Sequence, residues 1–239
     1  MSERWLEKAV SDGQVIKFEY EKFTKGLKIG DGGFGTVYKY EWKDKNITVA
    51  LKCLKVDINL NREVTKEFIR ELKVLHKVCN HPNIIEFYGI TKDNQGYYNM
   101  VLQLANDGNL RQYLRKNFKK LQWKDKLHIA IEILGGLIFL HDKNIVHRDL
   151  HSKNILIHQG QIKIADFGLA KEMNEASKST TSAVQGMTAF IDPQCLIIPK
   201  YKRNKKSDVY SFGVILWEIS SGRPPFESYD LGVMLEFNF

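Results

Sequence analysis

Cysteine is scarce in this chain. Only Cys53, Cys79 and Cys195 occur in 239 residues, an odd number with no CxxC spacing. That excludes a disulfide framework and a cysteine-rich zinc module, and it fits a reducing compartment. Long apolar runs are also missing. The longest, from Ile129 to Leu140, is interrupted by Glu132 and falls well short of the ~20 residues a helix needs to cross a bilayer. The start, MSERWLEKAV, carries Glu3 and Glu7 where a signal peptide would be continuously apolar, so secretion is not expected. No repeat recurs at a fixed period, and collagen-like and low-complexity compositions are excluded. These absences lead to the expectation of a soluble, cytoplasmic protein with no membrane contact.

What is present is ordinary globular usage, 43% hydrophobic and 27% charged residues, enough to bury a sizeable core. The length fits one large domain or two lobes sharing a cleft. Lys and Arg number 36 against 28 Asp and Glu, a net charge of +8, so the surface should attract anions. Charge alone does not say which anion.

The pattern changes character near residue 105. Before it, β-type runs dominate: Phe23 to Ile29, Thr36 to Tyr40, Ile47 to Leu54, Ile84 to Ile90 and Tyr97 to Leu104. One helical stretch, Val64 to Val78, interrupts them; Val64, Phe68, Leu72 and Leu75 form its apolar face, with Glu67, Arg70, Glu71 and Lys73 largely elsewhere. After it, Asn109 to Asn117, Trp123 to His141 and Val209 to Ser221 read as helices, and Ile155 to Ile157 with Gln161 to Ile164 as a hairpin around Gly160. Asn106-Asp107-Gly108 suits a hinge. A cleft at that junction is a common place for a small ligand.

Three motifs carry chemistry. In Gly30-Asp31-Gly32-Gly33-Phe34-Gly35-Thr36-Val37, glycines allow a strand-turn-strand to approach a phosphate chain and expose backbone N–H groups. A ligand-free glycine hairpin is the bland alternative. A dinucleotide site is disfavoured because β-formers, and not a helix, follow the loop. In Val49-Ala50-Leu51-Lys52, a lysine one strand later can reach phosphates and be held by Glu71; the alternatives are a snorkelling lysine and a solvated glutamate. The richest cluster is His147-Arg148-Asp149-Leu150-His151-Ser152-Lys153-Asn154, followed by Asp166-Phe167-Gly168. Its oxygen groups at 149, 154 and 166 bracket the hairpin and suit a hard cation such as Mg²⁺. The rival reading, His147 and His151 as zinc ligands, is weakened by the neighbouring Arg148 and Lys153 and by the lack of a glutamate after the first histidine.

In this order the motifs resemble the eukaryotic protein kinase family, in its tyrosine-kinase-like branch. The resemblance runs from about Phe23 to about Glu227 and includes Ser207-Asp208-Val209-Tyr210-Ser211-Phe212-Gly213. It implies an α+β fold of two lobes. A small β-sheet lobe with one main helix would span about 23–104, a hinge 103–108, and a mainly helical large lobe about 109–239, preceded by an N-terminal extension, 1–22. It implies that ATP and Mg²⁺ are used to phosphorylate serine or threonine hydroxyls of protein substrates, with tyrosine left open. Lys52 would contact the α- and β-phosphates and be positioned by Glu71; Asn154 and Asp166 would hold Mg²⁺; Asp149 would orient the attacking hydroxyl and accept its proton. The nucleotide would further meet Ile29, Gly30, Gly32, Gly35, Val37 and Ala50 above and Leu156 below. Its adenine edge would bond to the backbone of Gln103 and Ala105, with Leu102 behind. Leu75, Phe87, His147 and Phe167 would stack as a hydrophobic column based on Asp208.

Several positions depart from the family. His151 stands where serine/threonine kinases typically carry lysine, and Lys153 where many tyrosine kinases carry arginine. In the segment Gly186 to Gln194, Met187 replaces threonine, Phe190 tyrosine, and Asp192-Pro193-Gln194 the usual Ala-Pro-Glu. Gln194 cannot form the family's ion pair, because an amide is uncharged. The large lobe is expected to be incomplete after Arg223-Pro224-Pro225-Phe226, its last helices missing, with Leu231 to Phe239 mostly apolar and apolar area exposed beneath the helix near Val209. The competing function is therefore a nucleotide-binding pseudokinase or an inactive truncated fragment acting as an interaction module. Ser177, Ser179, Thr180, Thr181 and Ser182 are candidate phosphorylation sites. Lys200 to Lys206 reads as a solvated basic loop and not as a nucleic-acid patch. Trp5 to Val10 reads as a short amphipathic helix packing on the small lobe.

Overall fold

The computed structural model describes residues 2–24, 26–32, 35–53, 62–173, 186–198 and 200–226, with the side chains of 2–4, 32 and 62–66 outside that description. The serines and threonines from 177 to 182 and the end from Leu231 to Phe239 lie outside the described residues. Contacts divide the chain into two compact units, Met1–Asn80 with Ile85–Leu104, and His81–Ile84 with Ala105–Phe239.

The first unit opens with α1 (Ser2–Ser11), β1 (Lys17–Phe18), β2 (Leu27–Gly32), β3 (Gly35–Trp42), β4 (Ile47–Cys53) and α2 (Arg62–Val78), then β5 (Phe87–Lys92) and β6 (Tyr98–Gln103). Its six-stranded sheet has the order β1-β5-β6-β4-β3-β2, antiparallel except for the β1–β5 pair. Val37 pairs with Lys52, Lys39 with Ala50, and Ala50 with Leu102. Opposite residues of antiparallel strands share a face and alternate residues return to it, so Val37, Ala50, Lys52 and Leu102 all lie on one side. The other side holds Trp42, Val49, Leu51 and Val101, which with Phe23 form a buried cluster. Gly35, at φ +127, begins β3 in a conformation closed to residues with a Cβ.

Two strand starts differ from the sequence pattern by three or more residues. Phe23 only bridges Trp42, and β2 starts at Leu27. Gly26 intervenes, and a Cβ there would lie 1.5 Å from the Lys39 carbonyl oxygen. Ile84, read as the start of a strand, instead bridges Ile164 in the second unit, and β5 begins at Phe87. On α2 the buried face contains Phe68, Ile69, Leu72, Leu75 and Val78. The sequence pattern put Glu71 off that face; it is buried on it, because a lysine from β4 meets it there. Leu6 and Ala9 of α1 are buried, and Trp5 lies 4.8 Å from the Lys73 ammonium of α2.

The second unit contains α3 (Leu110–Asn117), α4 (Trp123–Asp142), β7 (Ile145–Val146), β8 (Ile155–His158), β9 (Gln161–Ile164), β10 (Lys171–Glu172), α5 (Gln194–Ile197) and α6 (Lys205–Ser221). β8 and β9 form the hairpin, closed by Gln159 and Gly160 at φ +51 and +78; both central residues at positive φ match the twist of the strands. Ile155, Ile157, Ile162 and Ile164 are buried. Residues 106–108 are bound to this hairpin: Asp107 N donates to Ile157 O at 3.0 Å, and Ile157 N to Gly108 O at 2.9 Å. Asn109 caps α3 by accepting the Gln112 N–H at 3.0 Å.

The last helix begins at Lys205, four residues before the apolar pattern suggests, because Asn204 accepts the Lys206 N–H at 2.8 Å. The run from Lys200 to Lys206, read as a solvated loop, is therefore partly helix cap and partly bonded structure. A left-handed Gly222, φ +71, closes α6 with its N–H on Glu218 O.

Candidate active site

In the first unit, one turn of α2 sets Glu71 facing β4, and the strand's alternation sets Lys52 on the same side as Val37 and Ala50. Lys52 Nζ donates to Glu71 Oε1 at 2.6 Å, with the side chains only 11% and 6% exposed. A pair so far from water is held by charge and geometry together. Gly30 pairs with Val37 at a bulge that leaves Ile29 unmatched and half exposed. Gly32 and Gly35 face each other at the tip of the β2–β3 ribbon. Thr36 Oγ1 donates to Asp31 Oδ1 at 2.9 Å, and Lys28 also pairs with Asp31. Gln103 donates its backbone N–H to Glu86 O at 2.9 Å.

In the second unit, the catalytic-type loop is built around a buried carboxylate. Asp208, 1% exposed on the first turn of α6, accepts the backbone N–H groups of His147 and Arg148 and the ring of His141, each at 2.9 Å. Two charge-assisted amide bonds fix the loop where Arg148 takes φ +69. Asp149 N donates to His147 Nδ1 at 3.3 Å, so the proton of that ring sits on Nε2 and is donated to Ala165 O at 3.1 Å. His147 thus joins the 147–149 loop to the segment before Asp166. Its ring lies 5.2 Å from Phe167, which is fully buried. Asp166, like Arg148, is a non-glycine residue at positive φ, +63; such backbone strain concentrates at functional sites.

Asn154 draws these pieces together. Its Nδ2 donates to Asp149 O at 2.9 Å and to Asp149 Oδ2 at 3.2 Å, while its backbone O accepts Ala165 N at 2.9 Å. The amide nitrogen faces Asp149, so the amide oxygen is turned elsewhere as an acceptor. Burial pushes the Asp149 carboxyl up, but His151, with His147 and Asn154, outweighs it and holds the group below the usual carboxylate range. Asp149 is therefore an anion at neutral pH.

The zinc alternative finds no support. His147 spends Nε2 on Ala165, His151 Nε2 lies 3.6 Å from Asp149 Oδ1, and no cluster of three or more His, Cys, Asp or Glu side chains among the described residues is arranged to hold a metal. One amide oxygen with one carboxylate fits Mg²⁺, which keeps waters and phosphate oxygens in its shell. Leu156 lies half-buried on β8 in the second unit, which also contains Ala105. Two contributors escaped the sequence pattern: His141, on an ordinary helix face, and Arg203, inside the basic run, whose Nη1 donates to the Arg148 carbonyl at 2.6 Å. The cap residue Asn204 was the signal that the run had structure.

Residues 23–237 match the family model described as protein tyrosine and serine/threonine kinase. The chain is 38% identical over 221 residues to the LEAF RUST 10 disease-resistance locus receptor-like protein kinase-like 1.4 of Arabidopsis thaliana, covering 87% of this chain and 32% of that protein. It is 33% identical over 229 residues to a probable serine/threonine-protein kinase of Dictyostelium discoideum, covering 94% and 24%. It is 34% identical over 203 residues to tyrosine-protein kinase Fer of Mus musculus, covering 84% and 24%. The chain thus spans about a quarter to a third of the length of these relatives. With the ordered motifs, the two units and the loop held by Asp208, the match makes this chain a member of the protein tyrosine and serine/threonine kinase family.

Proposed function

We propose that the chain acts as an ATP-dependent protein kinase, transferring the γ-phosphate to serine or threonine hydroxyls of a protein, with tyrosine as the competing acceptor. The observation that carries this is the buried Lys52–Glu71 pair at 2.6 Å on the same sheet face as Val37 and Ala50. A buried lysine aimed by a carboxylate is what binding of a phosphate chain requires. The apolar pair beside it suits an adenine ring, with Ile29, Gly30, Gly32 and Gly35 along the phosphates, and Gln103, Ala105 and Leu156 completing the nucleotide contacts.

In this reading Asn154 and Asp166 hold Mg²⁺, which when bound neutralises charge on the phosphate oxygens. Asp149 accepts the hydrogen bond of the acceptor hydroxyl and takes its proton as the oxygen attacks. Its low proton affinity suits orientation of that hydroxyl, with proton removal late in the step. Asn154 keeps Asp149 aimed, and Asp208 fixes the backbone that carries it. ATP use and free cysteines fit a cytoplasmic location; among the described residues no helix is long and apolar enough to cross a membrane.

The test is transfer of radiolabelled γ-phosphate from ATP to mixed protein acceptors, with phosphoamino-acid analysis of the product. The wild-type chain should label serine and threonine, and Asp149→Asn should lose more than about 100-fold in rate. Equal, background-level transfer by both proteins would overturn the reading.

A further inference from the structure

Asp192 is the one acid in the sequence between Gly186 and Lys206, and it is buried. Its Oδ2 accepts Ser207 Oγ at 3.0 Å and Tyr201 OH at 3.3 Å, and its Oδ1 accepts the Gln194 N–H at 3.0 Å. Asn204 supplies both hydroxyls: its Nδ2 donates to Tyr201 OH at 3.2 Å and its backbone N–H to Ser207 Oγ at 3.3 Å. Each hydroxyl thus spends a lone pair on Asn204 and its proton on the carboxylate. Bonds of this kind to an ionised acceptor are about twice as strong as neutral ones. One turn further along α6, Ser211 Oγ donates to Phe190 O at 2.7 Å.

The other end of the same segment lies at the proposed base. A Cβ built on Gly186 would stand 2.9 Å from Asp149 Oδ1. The buried ring of Phe190 is 5.9 Å from that of His151, whose Nε2 lies 3.6 Å from the same Asp149 oxygen. The first two turns of α6 therefore hold two pieces at once. Asp208 fixes the backbone that carries Asp149, while Ser207 and Ser211 fix the segment beside it through Asp192 and Phe190. Base and neighbouring wall are registered on one helix.

We propose that Asp192 is a positioning residue for the transfer reaction: through Tyr201 and Ser207 it holds segment 186–191 beside Asp149, and so sets how an acceptor hydroxyl is presented to the base. This rests on the kinase reading, which puts that hydroxyl at Asp149. The side-chain bonds of Asp192 go to Gln194, Tyr201 and Ser207, none of them assigned to the nucleotide or Mg²⁺. Loss of Asp192 should therefore act on the protein acceptor and spare ATP.

Hydrogen exchange of the full 239-residue chain, read by mass spectrometry, tests the anchor. In the segment, Phe190 N donates to Met187 O at 2.8 Å and Ile191 N to Thr188 O at 3.1 Å, so these amides report whether it is held. Asp192→Ala should speed their exchange about tenfold and Tyr201→Phe, which removes one donor, about threefold, with the β8–β9 hairpin unchanged in both. In steady-state transfer to dephosphorylated casein, Asp192→Ala should raise the KM for casein about tenfold and leave the KM for ATP unchanged. Asp192→Asn, which keeps an acceptor oxygen, should recover part of that loss. If Asp192→Ala does not fold, Tyr201→Phe carries both readouts. Unchanged exchange at these amides, or a casein KM that stays put or moves together with the KM for ATP, would overturn the proposal. Background-level transfer by the wild type would strike the kinase reading instead, and the exchange rates would still judge the anchor.

Discussion

A lysine and a glutamate taken out of water destabilise a protein unless each answers the other. Lys52 and Glu71 meet that condition, and the pair gives a stability prediction independent of catalysis. Glu71→Gln keeps the shape and removes the charge, and should lower the unfolding free energy by about 3 kcal/mol, measured by urea denaturation; a change within error would show that the pair is not held in solution. His81 gives a pH prediction. It stacks on Phe139 with centroids 4.6 Å apart and accepts the Asn83 N–H on Nδ1 at 3.1 Å. Burial, then the Lys163 ammonium, holds its pKa below the ordinary imidazole value. Its stabilising contribution is therefore present above the unfolded value of ~6.5 and is lost as pH falls through the lower folded value. Between about pH 7.5 and about pH 5.5 the wild type should lose more stability than His81→Gln. Parallel curves would contradict this.

At the scale of elements, the sequence was most legible where periodicity and turn chemistry agreed. The β8–β9 hairpin, α3 and α4 follow from alternation, from Gly160 and from Asn109. Boundaries set by long-range contacts were not legible: nothing local marks Ile84 as the partner of Ile164, or Gly26 as a point of backbone contact with Lys39. Glu71 was legible as the partner of Lys52 but not as part of the buried helix face, since a charged residue is assigned to water until its partner is known. The motif residues of the loop were legible by type and spacing, whereas the placement of Arg203 depends on a carbonyl 55 residues earlier in the chain. The start of α6 could have been read from Asn204. Asn204→Ala should destabilise the second unit by about 1 kcal/mol, measured by chemical denaturation, while Val209, four residues into the helix and exposed, should tolerate alanine; equal costs at both positions would deny the cap its role.

For the molecule as a whole, the described surface is unusually apolar along two helices. Leu127, Ile131, Leu134 and Ile138 form one exposed stripe on α4, and Val209, Leu216 and Trp217 are exposed on α6. Apolar patches of this kind favour association over solubility. The 239-residue chain by itself should elute from size exclusion as oligomer or aggregate at concentrations of roughly tens of micromolar, and Leu127→Lys with Ile131→Lys should raise the monomer fraction. A cooperative, monomeric wild-type chain would contradict this.

The account's central proposal is that Lys52, Asn154 and Asp166 act on one magnesium-bound nucleotide. Isothermal calorimetry of the folded chain with ATP, with and without Mg²⁺, measures it directly. The account predicts saturable binding of one nucleotide per chain that strengthens with Mg²⁺ and is lost in both Lys52→Met and Asp166→Asn. A folded wild-type chain that takes up no ATP at saturating Mg²⁺ would contradict it.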